Sequence, residues 1–402
     1  MMIPVAEAIQ FVRQQTERLP PETVALADAL GRVLAEDVIA DSDLPPFDRA
    51  QMDGYAVLAK DTLNAPVRLR IVGEAAAGRG WRGRMQTGEA VRIMTGAPVP
   101  DGADSVQKVE VTRETEDHRE VLIDEATKPG QFIVKRGSEV KEGACVLGAG
   151  ETVNAAMMAA LASFGYARLK VGARPRVVVL ATGTELVPVN EKPGPDQIRD
   201  SNSFSLGAYA SLAGARVERL PLANDDSQLL QREIKTAAGR ADVLILSGGV
   251  SMGVYDFTKT ALRALGAEIY FERVRLRPGK PTVFARLGRT LIFGLPGNPV
   301  SVSVTFNLFA RTALRAMQGC LEPALVEEWA VLARGVKGSQ ERASYLPAEL
   351  RTNEDGQLLA EPLKWGGSSD FVAFTRAVAL VIVPEGVKAL EAGTRVRFVR
   401  LP

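Results

Sequence analysis

Histidine is almost absent from this chain. His118 is the single one in 402 residues, set in the charged run Arg113-Glu114-Thr115-Glu116-Asp117-His118-Arg119-Glu120, which reads as a solvated hairpin tip or loop. A Ser/His/Asp triad or a histidine-rich zinc site has nothing to build on. Cysteine is nearly as scarce: Cys145 and Cys320 lie far apart and form no Cys-x-x-Cys pair. The expectation is two buried small hydrophobes, with neither a disulfide framework nor a thiolate metal site. An excess of one charge is missing too, since 49 Lys+Arg stand against 48 Asp+Glu, and no global basic field is left to wrap nucleic acid. No apolar run is long enough to span a bilayer, and residues 1–10 lack the basic and apolar blocks of a signal peptide. The expectation is a cytoplasmic protein with no nucleic acid or membrane partner, whose chemistry rests on carboxylates, hydroxyls, Lys/Arg and backbone amides.

What is present is a repeated local plan. With 46% hydrophobic and 24% charged residues, the chain has the composition of an ordinary globular protein of two to four domains. Three times between Arg174 and Cys320 an apolar run feeds a glycine-bearing polar loop, and a helix-like segment follows. The runs are 176–180 before Ala181-Thr182-Gly183-Thr184-Glu185, 243–246 before Ser247-Gly248-Gly249-Val250-Ser251-Met252-Gly253, and 290–293 before Gly294-Leu295-Pro296-Gly297-Asn298-Pro299. Short β-branched runs alternating with helical segments predict parallel strands with crossovers, whose loops gather at the carboxyl edge of the sheet. Bare amides in such loops suit a phosphate or another oxyanion.

Elsewhere the pattern changes. Residues 1 to about 38 read as two helices split by Pro20-Pro21, the second carrying Val24, Leu26, Leu30, Val33 and Leu34, before Pro45-Pro46 interrupts. Short alternating runs from Val67 to Val146 predict a small inserted β domain, and residues 153–162 an alanine-rich helix closed near Gly165. Within the α/β segment, helices are expected over 203–212, 226–238, 256–265 and 300–317. Asp226 stands as an N-cap candidate, and Asp256 in the same position ahead of the next helix. Strand-like runs at 377–383 and 395–399 predict a small C-terminal β domain.

An ordered series of motifs carries a resemblance. Residues 47–57 (Phe-Asp-Arg-Ala-Gln-Met-Asp-Gly-Tyr-Ala-Val), 92–100 (Arg-Ile-Met-Thr-Gly-Ala-Pro-Val-Pro), 198–202 (Ile-Arg-Asp-Ser-Asn), the 247–257 loop, 278–281 (Pro-Gly-Lys-Pro) and 294–301 together resemble the MoeA family of molybdopterin molybdenumtransferases, whose eukaryotic relatives include the C-terminal part of gephyrin. The resemblance spans nearly the whole chain. It implies a multidomain α/β plus β fold: a central MogA-like α/β domain with a mostly parallel sheet, an N-terminal helical linker part with an inserted β domain, and a small β-barrel-like domain at the C-terminus. The implied divisions are 1–45 with 141–172, 46–140, 173–320 and 321–402.

The chemistry the resemblance implies is the last step of molybdenum cofactor synthesis: molybdate is inserted into adenylylated molybdopterin and AMP is released, with Mg2+. The catalytic residues it implies are Asp53, Thr95, Glu185, Asp256 and Lys280. Substrate contacts are expected from Gly183, Ser201, Asn202, Ser247, Gly248, Gly249, Ser251, Arg277, Gly279, Pro296, Gly297, Asn298, Ser301, Arg342, Ser368 and Ser369. Magnesium, which takes oxygen ligands, is expected on Glu185, Asp225, Asp226 and Asp256. Bland readings stand beside these: Asp53-Gly54 and Thr95-Gly96 as turns, Asp226 and Asp256 as caps, Gly297-Asn298-Pro299 as the start of a helix whose amides still face the site. The chain departs from the family pattern at Thr184, Val254, Arg277 and Pro347, with Arg342 as a compensating cation. The implied assembly is a homodimer, with a molybdopterin adenylyltransferase and molybdoenzyme assembly factors as further partners. Adenylylation of molybdopterin with ATP, and a non-catalytic gephyrin-like scaffold, are the alternative functions.

Overall fold

The structure is a computed structural model that describes residues 2–222, 227–248 and 257–402. It divides into two compact units, one of residues 1–36, 149–155 and 168–402, the other of residues 37–148 and 156–167.

In the larger unit, α1 (Val5–Gln15) buries Val5, Ala8 and Val12, the 3.6-period stripe expected of a helix laid on a core. The second helix expected near residue 30 does not form. Glu22–Ala25 is instead a strand paired antiparallel with Arg168–Val171, followed by a short 3₁₀ turn at Leu26–Asp28. Leu30 is 59% exposed and Gly31 has φ +75°, so the apolar spacing there is not the face of a helix. A β partner distant in sequence overrides the local pattern.

The central sheet is built from β1 (Arg176–Ala181), β2 (Arg216–Arg219), β3 (Val243–Ser247), β4 (Glu268–Phe271), β6 (Val283–Leu287) and β7 (Thr290–Leu295), with β5 (Leu276–Arg277) leaving it for the barrel. The order is β2-β1-β3-β7-β6-β4. The β2/β1, β1/β3 and β3/β7 pairs are parallel, and β7/β6 and β6/β4 antiparallel. The three runs singled out in the sequence are therefore adjacent parallel strands, and their loops meet at one edge. Alternation along each strand splits the core. Val177, Val179, Ile245 and Phe293 face α1, α2 (Asn202–Leu212), α5 (Pro299–Thr305) and α6 (Arg311–Met317), while Val178, Leu180, Leu244 and Ile292 face α3 (Ser227–Ala238) and α4 (Phe257–Ala264). The helix expected over 300–317 is interrupted by a buried π-type turn at Phe306–Ala310.

The C-terminal strands β8 (Glu327–Leu332), β9 (Ala343–Thr352), β10 (Leu358–Pro362), β11 (Ala379–Val383) and β12 (Arg395–Arg400) close as β9-β10-β8-β12-β11-β9. Leu332, Leu346, Val381 and Phe398 fill this five-stranded barrel. The helical turn α7 (Phe371–Phe374) precedes β11. β5 joins β9 in parallel, pairing Leu276 with Ala343 and Arg277 with Ser344.

The smaller unit is a six-stranded sheet in the order 105–108, 54–57, 89–93, 67–75, 120–123, 112–114, with apolar residues on both faces. Its hairpin between residues 114 and 120 carries His118 at the tip, 2.6 Å from Glu114 through Nδ1, as a solvated loop should. The cysteine expectation is corrected: Cys145 is exposed and Cys320 half-exposed. Among the described residues no helix is long and apolar enough to cross a membrane.

Candidate functional site

Three loops are pressed together at the carboxyl edge of the sheet. The Thr182 amide donates to the Ser247 carbonyl at 2.9 Å and the Gly248 amide to the Leu295 carbonyl at 3.3 Å. Gly248 has φ +92°, and a Cβ there would sit 2.2 Å from the Thr182 carbonyl oxygen, so only glycine lets these backbones approach. A Cβ on Gly297 would come within 3.9 Å of the Gly248 Cα. Asn202 ties the second loop to the third: its Nδ2 donates to Ser247 Oγ at 2.9 Å and to the Gly297 carbonyl at 2.7 Å. A carbonyl can only accept, which fixes the amide orientation. Asn202 Oδ1 is buried with no hydrogen-bond partner among the described residues, an acceptor available to a ligand N–H. Asp200, absent from the sequence reading as a site residue, accepts from the Ser203 amide at 3.0 Å and from the Ser203 hydroxyl, capping α2. Ser201 is exposed beside it, as is Glu185 next to buried Gly183.

Where this edge meets the barrel lies a cleft of about 860 Å³. Arg277, Lys280, Arg334, Lys337, Arg342 and Lys364 line it, and no carboxylate among the described residues does. Its apolar wall comes from Leu346, Leu363 and Trp365, and Pro296, Asn298, Ser301 and Ser368 close the side toward the sheet. Two of the cations are held by backbone, Arg334 through its donation to the Pro362 carbonyl. Arg277 Nη1 donates to the Gly338 carbonyl at 3.1 Å, and Gly279 (φ +115°) lies so close to α5 that a Cβ would meet Thr305 Cγ2 at 2.5 Å. Asn298 Nδ2 donates to Ser368 Oγ at 2.8 Å. Asp370 fixes that loop by accepting from the Gly366 and Ala373 amides at 2.8 and 3.2 Å, bonds that hold its carboxyl below the usual carboxylate range. One expectation changes here: Pro299 has no amide hydrogen, and the Val300 amide donates to the Ser368 carbonyl at 3.0 Å. The start of α5 is therefore capped by the barrel loop, and cationic side chains dominate the cleft. Cations crowded without counter-charge repel one another, so a bound anion relieves that repulsion.

Arg277, Gly279, Lys280, Pro296, Asn298, Ser301, Arg342 and Ser368 thus share the cleft, with Ser369 next along the loop, and Gly183, Asn202, Ser247, Gly248 and Gly297 share the loop edge. Arg334, Lys337 and Lys364 escaped the sequence reading, although each stands near glycine, as Lys280 does in Pro278-Gly279-Lys280. Asp53 and Thr95 belong to the smaller unit, where Asp53 Oδ1 accepts from the Thr95 amide at 2.6 Å and hydroxyl at 2.8 Å. The amide bond first, and then the hydroxyl bond, hold the Asp53 carboxyl below its usual range. Gly54 opens the next strand and lets its partner approach, since a Cβ there would lie 1.9 Å from the Gln107 carbonyl oxygen. Gly249, Ser251, Asp225, Asp226 and Asp256 lie outside the described residues. Among the described residues no three His, Cys, Asp or Glu side chains stand together to hold a metal ion.

Glycine loops meeting at the edge of parallel strands, and a cleft lined by cations where the barrel closes, offer the chemistry that a phosphorylated or oxyanionic small molecule requires. Comparison with known proteins makes the class specific. Residues 3–165 match the MoeA N-terminal region (domain I and II), 178–316 the probable molybdopterin binding domain, and 329–401 the MoeA C-terminal region (domain IV). The chain is 36% identical over 401 residues to the molybdopterin molybdenumtransferase of Bacillus subtilis (strain 168), covering 98% of this chain and 93% of the relative. It is 34% identical to that of Staphylococcus aureus (strain COL), covering 99% and 95%. The molybdopterin biosynthesis MoeA protein of Pyrococcus horikoshii OT3 has the same fold, with a TM-score of 0.85 at 27% identity over 100% of both chains. The chain belongs to the MoeA family of molybdopterin molybdenumtransferases.

Proposed function

We propose that the protein inserts molybdate into adenylylated molybdopterin and releases AMP, as a transferase of molybdenum cofactor biosynthesis. The observation that carries this reading is the cleft beside the glycine loops, lined among the described residues by six cations and no carboxylate. An adenylylated pterin phosphate and molybdate are both multiply charged anions, and Lys280, Arg342 and Arg277 are positioned to hold them by charge-assisted hydrogen bonds. Release of AMP breaks the anhydride between two phosphates, with water taking the adenylyl group. The charge that develops on the separating oxygens is stabilised by the same cations, of which Arg277 is held in advance by the Gly338 carbonyl. The Asn202 bridge keeps the Ser247 and Gly297 loops in register beneath the substrate.

Several finer assignments belong to the same reading. Magnesium would supply charge neutralisation at the phosphates; Glu185 has the oxygen chemistry it takes, with Asp225, Asp226 and Asp256 as its proposed companions. The protein is proposed to be a cytoplasmic homodimer, the commonest closed assembly, in which the Asp53–Thr95 pair of one subunit serves the loop edge of the other. A molybdopterin adenylyltransferase upstream and molybdoenzyme assembly factors downstream are its proposed partners. The test is release of AMP from adenylylated molybdopterin on adding molybdate. Lys280→Ala/Arg342→Ala should lower the rate at least a hundredfold with unchanged thermal unfolding and a flatter dependence on ionic strength, because screening acts on the charges removed. Unaltered AMP release in this variant refutes the assignment.

A further inference from the structure

The opposite, amino edge of the central sheet holds a larger basin, about 1260 Å³, bounded by the chain leaving α1 and by the starts of β1, β3 and β7. A six-residue strand such as β1 rises roughly 3.3 Å per residue, which puts this basin about 20 Å from the glycine loops and makes it a separate site. Its walls are fixed. Arg286 donates to the Gln15 carbonyl and pairs with Glu17 at 3.2 Å. The Leu19 amide donates to the Met317 carbonyl at 2.8 Å, and the Thr290 hydroxyl lies 2.8 Å from the Ala241 carbonyl oxygen.

Charge in the basin is one-sided once its pairs are counted. Among the described residues seven cations and three carboxylates line it, and each carboxylate is already engaged: Glu17 by Arg286, Asp242 by Arg176 at 2.9 Å, and Glu22 by Arg32. Burial pushes the Glu22 carboxyl up, but Arg32 and then Arg216 outweigh it and hold the group below its usual range. Arg18, Arg174, Arg216, Lys235 and Arg289 form no ion pair among the described residues. In a chain of net charge +1, this is a local concentration of positive potential. Leu19, Pro20, Leu265, Leu287 and Met317 add an apolar lining, so the basin offers unpaired cations around a surface suited to a ring.

We propose that the amino-edge basin is a second ligand site, which takes an organic phosphate of the nucleotide diphosphate class through Arg174, Lys235 and Arg289 and is distinct from the molybdopterin cleft. The probe is adenosine diphosphate, titrated calorimetrically into the full-length protein carrying Lys280→Ala/Arg342→Ala, which removes competition from the cleft. Binding should persist there, be displaced by inorganic pyrophosphate, and weaken at least tenfold when Arg174→Ala/Arg289→Ala is added. The exposed turn substitution Arg289→Gln alone should weaken it severalfold, which guards against misfolding of the multiple variant. Arg174→Ala/Arg289→Ala by itself should leave AMP release from adenylylated molybdopterin intact, so failure here is separable from failure of the transferase reading. Absence of binding in the cleft-deficient protein, indifference to the Arg174 and Arg289 changes, or failure of pyrophosphate to compete overturns the proposal.

Discussion

Replacing Asn202 by alanine tests whether the loop edge works as one unit. The side chain makes two bonds, at 2.9 Å to Ser247 Oγ and at 2.7 Å to the Gly297 carbonyl, and their losses differ in kind. Gly297 is exposed and its carbonyl rehydrates. Ser247 is only 2% exposed, so its hydroxyl loses a partner that water does not easily replace. A buried polar group left unsatisfied costs about 1–3 kcal/mol, and an ordinary exposed bond about 0.5–1 kcal/mol. The sum expected from the structure is therefore about 1.5–4 kcal/mol, read as a lowered denaturant midpoint of the larger unit. The catalytic effect should exceed the stability effect, because a loop displaced by about 1 Å costs on the order of a hundredfold in rate. Asn202→Asp preserves shape but sets an acceptor against the Gly297 carbonyl and adds negative charge near an anion site. AMP release should fall in the order wild type, then alanine, then aspartate. Full activity in the alanine variant, or an aspartate variant more active than alanine, refutes the idea that Asn202 registers the loops.

Gly248→Ala combines a left-handed backbone, φ +92°, with a Cβ 2.2 Å from the Thr182 carbonyl oxygen; strain of about 1–2 kcal/mol and overpacking of about 1–3 kcal/mol should appear as a 2–5 kcal/mol loss in chemical denaturation. Because Thr95 holds the Asp53 carboxyl below its ordinary value, the stability this contributes is full above the unfolded value of about 3.9 and is lost as pH falls through the folded one. Thr95→Val removes the hydroxyl bond and should move the Asp53 titration, followed by NMR, up toward the ordinary range; an unmoved titration would show that the hydroxyl bond has no part in the shift. Sedimentation at micromolar concentration should give a dimer, and a stable monomer would remove the shared-site assembly.

The sequence by itself determined the parts whose causes are local. Runs such as Val177-Val178-Val179-Leu180 are apolar at every position because both faces of β1 are covered, and a strand buried on both faces needs no polar alternation. Glycine after each run was readable for the same reason: Gly248 is required by its own φ and by one close carbonyl. The single histidine and two separated cysteines limited the chemistry before any fold was known. Only tertiary structure decided the rest. Residues 22–25 became a strand because Arg168–Val171 lies alongside, a partner that no spacing within the first forty residues reveals. The Val300 amide, open to an anion on the sequence alone, is taken by the Ser368 carbonyl. Arg334, Lys337 and Lys364 were not singled out by the sequence, and the closed barrel brings them beside Arg277 and Lys280. Charge acts through space and not along the chain, so the sign and depth of the cleft were set where the barrel meets the sheet.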